Sequence, residues 1–235
     1  MGLNKHFDNI YLLNLFRRKD RLNDSIGRLN QFNIKYEIFN GVDGSVMKHI
    51  WSKINNPYFT NPSYVGCSLS HLSIYQDAID KGYTKILIIE DDNLINRNVN
   101  DIMGSVDVPI WSDLFYLGYI PLNDDCTMWD YRYGINESNI ISNNIFSPLN
   151  LWGLFAYGIG IDLMREMVDL YNTSFPMEID RYFVMDVQKR GKSIAISPQI
   201  FCCQDNQHSD NLGFSPPDMK RKSVDMRFSS LEEYI

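Results

Sequence analysis

The sequence predicts an α/β protein in which helices flank a mostly parallel β-sheet. A strand, a helix and a second strand follow one another near the N-terminus within about 30 residues, and such a βαβ unit requires a parallel pair of strands. The wholly apolar run 86–89 is typical of a strand that is buried on both faces of a sheet. At 235 residues, the chain favours one large domain over two small ones.

The spacing of apolar residues predicts the N-terminal βαβ unit. Residues 10–15 predict the first strand, and a helix follows to about Phe32 with Asp20 as its cap. Residues 36–39 predict the second strand, which ends at the polar segment 40–44. The helical spacing is carried by Leu22, Ile26, Leu29 and Phe32.

The middle of the chain predicts one long helix and two buried strands. Residues 64–83 have apolar residues near the helical period, with Gly82 close to the end. The strand 85–89 follows, and residues 114–117 predict another buried strand. Residues 121–150 are irregular and rich in asparagine, so we expect a loop over the site there.

The last third of the chain alternates strands with helices before it becomes polar. Residues 152–161 predict a strand interrupted by glycines, and a helix to about Tyr171 follows. Residues 178–190 predict a further helix, and residues 193–197 predict a last strand. A polar tail begins near Ser209.

Charge and composition restrict the partners. The formal net charge of −7 argues against a nucleic-acid-binding surface, although a small basic pocket for one phosphate ester is compatible with it. We expect neither a signal peptide nor a membrane span, because no run approaches the roughly 20 apolar residues that a span needs. The four cysteines lack CxxC spacing, so we expect reduced thiols in a reducing compartment.

Polar side chains follow three of the predicted strands. They are Asn14, Arg17 and Arg18 after the first strand, Asp43 after the second, and Glu90, Asp91 and Asp92 after the apolar run. Because ligands of open α/β sheets bind beyond the carboxyl ends of the strands, these side chains should meet in one crevice. Adjacent carboxylates repel one another unless a cation neutralises them. An acidic turn or a helix cap after the strand is the alternative interpretation.

The same groups predict a sugar nucleotide as the ligand. Arginine supplies paired donors for a diphosphate, and a carboxylate after the second strand is placed to accept a hydrogen bond from ribose. The chain contains neither GxxxxGK[ST] nor GxGxxG, which excludes a Walker-type loop and a dinucleotide fingerprint. What remains is a sugar nucleotide held through a metal ion and arginine.

Several segments occur in an order that is specific as a set. They are NIYLLNLFRRKDR at 9–21, GCSLSHLSIY at 66–75 and IIEDD at 88–92, followed by weaker blocks at 156–159, 179–183 and 204–210. This set resembles the glycosyltransferase family 25 proteins, which include lipooligosaccharide galactosyltransferases of lipopolysaccharide (LPS) biosynthesis and collagen hydroxylysine galactosyltransferases. The chain departs from the family pattern at Asn93 and in the segment 155–159. The resemblance is therefore better supported for the segments expected to bind the donor than for those expected to bind the acceptor.

The resemblance implies a GT-A fold, with a Rossmann-like nucleotide half and an acceptor-binding C-terminal half. We expect one domain over residues 1–210, a nucleotide half over about 8–118, an acceptor half over about 119–210 and a tail over 211–235. The resemblance also implies an inverting, hexose-transferring enzyme that uses a uridine diphosphate (UDP) sugar and Mn²⁺ or Mg²⁺. Galactose or glucose is the favoured sugar, and a hydroxyl group of a glycan or of a hydroxylated collagen-like protein is the expected acceptor.

The resemblance suggests individual roles. Asp92 is expected to bind the metal, because the last carboxylate of a GT-A acidic motif usually reaches it. His208 is the expected second ligand, with a surface histidine as the alternative. Glu90, on the same side of the strand as Asp92, is expected to reach ribose or a metal-bound water, whereas Asp91 points away. Asp180 is the expected base for the acceptor hydroxyl, with a helix N-cap as the alternative.

The other expected contacts to the donor come from two arginines after the first strand and from the segment 66–75. The expected donor-binding residues are Asn14, Arg17, Arg18, Asp43, Ser70, His71, Glu90 and Asp91. Ser70 is placed to bond a phosphate or the sugar, and a buried, hydrogen-bonded histidine is the alternative for His71. Arg21 lies on the helix, where it is expected to pair with Asp24. Glu178, Asp186 and Asp205 stay open as other candidates for the base.

Two other functions are compatible with the same residues. A nucleotidyltransferase also combines a parallel sheet, a metal and a nucleotide, but it usually has a glycine-rich phosphate loop where this chain has Phe16, Arg17 and Arg18. A nucleotide-sugar-binding protein that has lost catalysis is the non-enzymatic alternative. For the enzyme, we expect a cytoplasmic location, in a bacterium or in host cytosol at a virus factory. The sequence does not predict an oligomeric state.

Overall fold

Strands and helices alternate along most of the chain in this computed structural model. The structure describes residues 2–47, 61–122, 138–142, 144–204 and 231–235. The α-helices are α1 (Lys19–Gln31), α2 (Pro62–Asp80), α3 (Val99–Ser105), α4 (Ile161–Thr173) and α5 (Ile179–Met185). Short 3₁₀ helices span Leu3–His6, Gly44–Val46, Val187–Arg190 and Leu231–Glu233.

Twelve strands lie within the described ranges. They are β1 (Asn9–Asn14), β2 (Glu37–Asn40), β3 (Lys85–Glu90), β4 (Asn93–Ile95), β5 (Leu114–Tyr116), β6 (Ile120–Pro121), β7 (Ile140–Ser142), β8 (Ile145–Phe146), β9 (Leu151–Trp152), β10 (Ala156–Gly160), β11 (Ile194–Ile196) and β12 (Phe201–Cys203). Eight of them form one sheet in the order β2-β1-β3-β10-β5-β11-β8-β7, while β12 pairs with β4 and β6 pairs with β9.

The large sheet is mostly parallel in direction. Strand β1 is parallel to β2 and to β3, and β11 is parallel to β5. Strand β10 lies antiparallel between β3 and β5, and β8 lies antiparallel between β11 and β7. Of the eight strands described in this sheet, only β10 and β8 therefore run against the others. The predicted α/β class, with a mostly parallel sheet flanked by helices, is confirmed.

Side chains of the central strands alternate between two apolar cores, because successive residues of a strand point to opposite faces. Tyr11 and Ile88 belong to the core that contains α2, α4 and α5. Leu12 and Leu87 belong to the core that contains α1 and α3. The run 86–89 is buried throughout, so its prediction as a strand covered on both faces is confirmed.

The start of α1 differs from the sequence-based expectation. Arg18 occupies the N-cap position, and Asp20 lies inside the first turn, so the prediction that Asp20 caps the helix is wrong. The Asp20 carboxylate instead accepts hydrogen bonds from the Arg18 guanidinium, at 3.1 and 2.9 Å. A negative charge in the first turn still interacts favourably with the helix dipole.

The C-terminal part of the fold was predicted less well. The single helix expected over 178–190 is split, because Asp186 leaves helical geometry between α5 and the 3₁₀ helix Val187–Arg190. Gln188 there turns inward, where its side chain bonds the Tyr116 hydroxyl and both backbone groups of Leu151. These tertiary hydrogen bonds replace a continued helix. The irregular structure expected over 121–150 is wrong for the described residues that form β7 and β8.

The described end of the predicted tail packs against β4. Ile95 and Ile235 exchange two backbone hydrogen bonds, at 2.8 and 3.0 Å. Tyr234 is buried, and its hydroxyl donates to the Gln199 carbonyl at 2.9 Å. Among the helices that the structure describes, none has the length and apolar character needed to cross a membrane.

Candidate active site

A cavity of about 150 Å³ lies beyond the carboxyl ends of β1, β2 and β3. The cavity brings most of the predicted donor-binding residues together with Asp92, the predicted metal ligand. These lining residues are Asn14, Arg17, Asp43, Ser70, Glu90, Asp91 and Asp92, joined by Arg21 and Cys67. Arg18, His71 and Asp180 are not among its described lining residues.

Asn14 and Arg21 hold Asp91 in place. The Asn14 amide donates to Asp91 Oδ2 at 2.5 Å and to the Arg18 carbonyl at 3.0 Å. Arg21 Nη1 donates to Asp91 Oδ1 at 3.2 Å, and the Ser25 hydroxyl donates to the Asp91 carbonyl at 2.8 Å. Burial raises the pKa of the Asp91 carboxyl, and Arg21 and Asn14 oppose that rise. Asp91 thus connects the loop of residues 90–92, here called the acidic loop, to β1 and α1.

Arg21 is a cavity residue that the sequence-based reasoning missed. The expected pair with Asp24 is not what the structure shows: Arg21 Nη1 lies 3.2 Å from Asp91 and 3.3 Å from Asp92. The Arg21 side chain is only 5% exposed, so its charge acts on these carboxylates with little screening. Its spacing from the buried residues Ser25 and Leu29 already placed it on the inner face of α1.

Glu90 and Asp92 present carboxylate oxygens to the cavity. Each side chain is 28% exposed, in contrast to the buried Asp91. Burial and the neighbouring charge of Glu90 raise the pKa of Asp92 to about 7, against the effect of Arg21. Among the described residues, four carboxylates and two guanidiniums line the cavity, and together they carry a formal charge of −2 when all of them are ionised. Oxygen donors with excess negative charge suit a hard divalent cation.

Arg17 and Asp43 close one side of the cavity. Arg17 Nε donates to Asp43 Oδ2 at 2.7 Å, and Asp43 Oδ1 accepts from the Ser45 backbone N–H at 2.9 Å. Partial burial alone raises the pKa of Asp43, but the hydrogen bonds from Ser45 and Arg17 outweigh it and leave that pKa lowered. The pair connects the loop after β1 with the loop after β2, and Arg17 keeps substantial exposure for a ligand.

Ser70 joins α2 to the loop after β2. Its hydroxyl accepts from the Val42 N–H at 2.8 Å and donates to the Gly66 carbonyl at 2.7 Å. A Cβ at Gly66 would lie 2.5 Å from the Gly44 backbone, so this close approach requires glycine. The hydroxyl proton of Ser70 is therefore engaged within the protein, and its predicted bond to a donor stays a prediction.

His71 lies behind the cavity wall, which corrects the expectation of a direct donor contact. It is fully buried; its Nε2 lies 3.1 Å from Glu90 Oε1, and its Nδ1 lies 2.8 Å from the Tyr157 hydroxyl. The Tyr157 hydroxyl in turn lies 2.5 Å from that of Tyr75. Because an ionised carboxylate only accepts, Nε2 donates to Glu90, and Tyr157 donates to Nδ1. His71 therefore orients Glu90.

Arg18 also differs from its expected role. Its guanidinium pairs with the exposed Asp20 carboxylate at 2.9 Å, next to the start of α1. Its backbone carbonyl, rather than its charge, contributes to the site by accepting from Asn14. Among the described residues, the guanidiniums of Arg17 and Arg21 line the cavity.

Asp180, in the first turn of α5, is held by the backbone N–H of Gly153. Both of its carboxylate oxygens lie 3.1 Å from the Gly153 N–H. Burial raises its pKa to about 7, and the charges of Glu90 and Glu178 act in the same direction. Glu178 is the N-cap of α5, so the alternative of Asp180 as a cap is wrong. The predicted ligand His208 and the alternative base Asp205 lie outside the described residues.

The fold and the site define an α/β protein with a cavity lined by charged side chains beyond the carboxyl ends of parallel strands. The sequence profile of glycosyltransferase family 25 (LPS biosynthesis protein) matches residues 7–124. That segment contains β1 to β6 and every cavity residue described above. The chain belongs to glycosyltransferase family 25.

Curated relatives align with part of this chain. Procollagen galactosyltransferase 2 of Mus musculus is 32% identical over 129 residues, which cover 48% of this chain and 21% of the relative. Inactive glycosyltransferase 25 family member 3 of Mus musculus is 28% identical over 136 residues, which cover 51% and 23%. The aligned part thus spans about a fifth of the length of these relatives.

A comparison with solved structures also gives a match of low similarity. It is the crystal structure of a glycosyltransferase involved in the glycosylation of the major capsid of PBCV-1. The similarity covers 81% of each chain, with a TM-score of 0.44 and 13% sequence identity.

Proposed function

We propose that this chain is a metal-dependent, inverting glycosyltransferase that moves galactose or glucose from a UDP-sugar to a hydroxyl group of a glycan or of a hydroxylated collagen-like protein. The observation that carries the proposal is the meeting of Arg17 and Arg21 with Glu90 and Asp92 in one cavity at the strand ends. Arginine suits a diphosphate, and paired carboxylates suit a cation. Family membership and the name of the galactosyltransferase relatives support the same reading.

The residues present fit Mn²⁺ or Mg²⁺. Asp92 and Glu90 face the cavity with oxygen atoms, and their mutual repulsion is the kind that a cation relieves. A metal bound there would neutralise the diphosphate as it leaves the sugar. His208 stays the proposed second ligand.

The donor is proposed to lie across the loops after β1 and β2. Arg17 is the exposed guanidinium at the cavity, so it is placed to bind the diphosphate. Asp43 faces the same space and is placed to accept a ribose hydroxyl. Arg21 and Asn14 keep Asp91 fixed, so the acidic loop is organised before the donor binds.

The reaction needs a base on the acceptor side. The acceptor oxygen attacks the anomeric carbon, the bond from that carbon to the diphosphate oxygen breaks, and the configuration inverts. The hydroxyl proton goes to a carboxylate, for which Asp180 is the candidate. A carboxylate with a pKa of about 7 is well matched to proton transfer near neutral pH. The Gly153 N–H fixes its orientation.

A catalytically inactive, nucleotide-sugar-binding protein is the second candidate. The observation that favours it is the similarity to glycosyltransferase 25 family member 3 proteins, which are named inactive. Such a protein would bind UDP without turning over a UDP-sugar. The cytoplasmic location expected from the sequence stays a prediction.

The first experiment is calorimetric titration of UDP into the protein with Mn²⁺ and then with chelator. We expect binding that requires Mn²⁺ in wild type and that is lost in Asp92→Ala. The matched control is Asp101→Ala, which removes an exposed carboxylate of α3 and should bind as wild type does. No binding in folded wild type, or equal binding in Asp92→Ala, contradicts the proposed donor site.

Turnover separates the two candidates. UDP-galactose and UDP-glucose are offered with Mn²⁺, and release of UDP is followed with and without a hydroxylated collagen peptide. Metal-dependent UDP release identifies an enzyme and its preferred sugar. Tight UDP binding with no release from either sugar favours the inactive binding protein.

A further inference from the structure

Cys67, His71 and Glu90 form a cluster of ligand atoms in the wall of the cavity. Cys67 and His71 lie one turn apart on α2, and Glu90 is the last residue of β3. One ligand atom from each of the three lies within 4.8 Å of the other two. Cys67 and Glu90 line the cavity, whereas His71 is fully buried behind them.

We propose that these three side chains form a Zn²⁺ site separate from the carboxylate of Asp92. Zinc binds thiolate sulfur at about 2.3 Å and imidazole or carboxylate atoms at about 2.0–2.2 Å, so ligand atoms of a tetrahedral site lie about 3.3–3.7 Å apart. His71 Nε2 and Glu90 Oε1 are already 3.1 Å apart. Cys67 Sγ has to approach by up to about 1.5 Å, a distance within the range of a change of side-chain rotamer.

The charges of the cluster balance those of the ion. A thiolate from Cys67 and a carboxylate from Glu90 carry two negative charges, which neutralise Zn²⁺, and the His71 imidazole stays neutral. The thiol proton of Cys67 is released to solvent on binding. Because the assembled site carries no net charge, the partly buried wall does not have to hold an uncompensated ion.

The hydroxyl chain behind His71 can adapt to the metal. Nε2 now donates to Glu90, so the imidazole must move its proton to Nδ1 when Zn²⁺ takes Nε2. The Tyr157 oxygen then accepts from Nδ1, and its hydroxyl donates to Tyr75 instead. The Tyr75 O–H then has no acceptor among the described residues, a cost that metal binding has to outweigh. A second-shell bond of this kind orients a histidine ligand.

The ligand types distinguish this cluster from the acidic loop. Sulfur and imidazole favour Zn²⁺, whereas a set of carboxylates favours Mg²⁺ or Mn²⁺. Occupation by Zn²⁺ takes Glu90 away from the cavity, so Zn²⁺ should weaken UDP binding. That consequence rests on the proposed function, but binding of the ion itself does not.

The test uses Co²⁺ as a spectroscopic substitute for Zn²⁺, added to the full chain without nucleotide. A tetrahedral cobalt–thiolate site gives a charge-transfer band and strong visible absorption. We expect this spectrum in wild type, its displacement by one equivalent of Zn²⁺, and its loss in Cys67→Ser with affinity lowered about 100-fold or more, because even outer-shell partners change affinity about 10–100-fold. Cys203→Ser, a half-buried cysteine of β12, is the matched control and should keep the spectrum.

Two further variants make the outcome decisive. Asp92→Ala should keep the cobalt spectrum even where it loses Mn²⁺-dependent UDP binding, so failure of the zinc site and failure of the donor site are distinguishable. Glu90→Gln should weaken the cobalt affinity but retain the thiolate band, which covers the case in which Cys67→Ser fails to fold. An unchanged band in folded Cys67→Ser, or its loss in Asp92→Ala alone, overturns the proposal.

Discussion

The N-terminal and C-terminal halves of the described chain hold their carboxylates in different ways. In the N-terminal half, Asp91 is bonded to Asn14 and Arg21 from two other elements, and Asp43 is bonded to Arg17. In the C-terminal half, Asp180 accepts from the Gly153 N–H, and burial, together with the charges of Glu90 and Glu178, raises its pKa against the effects of Gly153 and Arg181. Carboxylates bonded to guanidinium groups suit a preformed binding site, whereas a buried carboxylate with a raised pKa suits a proton acceptor.

The largest effect that separates the halves is expected from Asp180→Asn. Asparagine keeps an oxygen for the Gly153 N–H but cannot take a proton, so kcat should fall by about 10²–10⁴. UDP affinity should stay as in wild type. Steady-state kinetics and calorimetry check this, with Asp186→Asn as the control for the alternative base. Full activity in Asp180→Asn would remove it from the reaction.

The second effect is expected from Arg21→Ala, which leaves Asp91 and Asp92 without their buried guanidinium. We expect the free energy of unfolding to fall by about 3–5 kcal/mol, because breaking a buried ion pair leaves uncompensated charge. Arg18→Ala removes a pair with the exposed Asp20 and should cost about 1 kcal/mol or less. Urea denaturation of both variants measures the difference. Equal losses in the two variants would contradict a special role for Arg21.

The pH dependence of stability gives a third contrast. The folded pKa of Asp180 is raised to about 7, so the folded state binds more protons than the unfolded state between about pH 4 and 7. The contribution of Asp180 to stability is therefore complete below about pH 4 and decreases as the pH rises to about 7. Asp180→Asn should remove this decrease, which amounts to at most about 1.4 kcal/mol for each pH unit. Parallel stability curves for wild type and variant would show that its pKa is not raised.

The smallest effect is expected from Tyr157→Phe, which removes the donor to His71 Nδ1. The fold should lose about 1–3 kcal/mol, because a buried polar group is left unsatisfied. UDP binding should weaken slightly, since Glu90 loses part of its orientation. Tyr83→Phe, at a partly buried tyrosine packed against the same core, is the matched control. Thermal unfolding and calorimetry measure both changes. An effect in Tyr83→Phe as large as in Tyr157→Phe would argue against a specific role of the hydrogen bond from Tyr157 to His71.

Much of the helix–strand order of the N-terminal half could be predicted because its signals are local, although the short elements β4 and α3 were not predicted. The apolar run 86–89 predicted β3, and the polar residues after β1, β2 and β3 predicted the cavity. The C-terminal half was predicted less well where long-range contacts override local preference. Gln188, in the 3₁₀ helix after α5, bonds across to Leu151, and β7 and β8 are strands of only a few residues.

The sequence by itself determined the fold class, the family and the identity of the acidic loop, because strand hydrophobicity and residue order are properties of neighbouring residues. Only the tertiary structure decided which charges face the cavity. Whether Arg18 or Arg21 lines it depends on how α1 is rotated against β4 and the acidic loop, and whether His71 reaches a ligand depends on how deeply α2 packs. The spacing of Arg21 from Ser25 and Leu29 indicates the inner face of α1, but its partners are set by packing between segments about 70 residues apart in the chain.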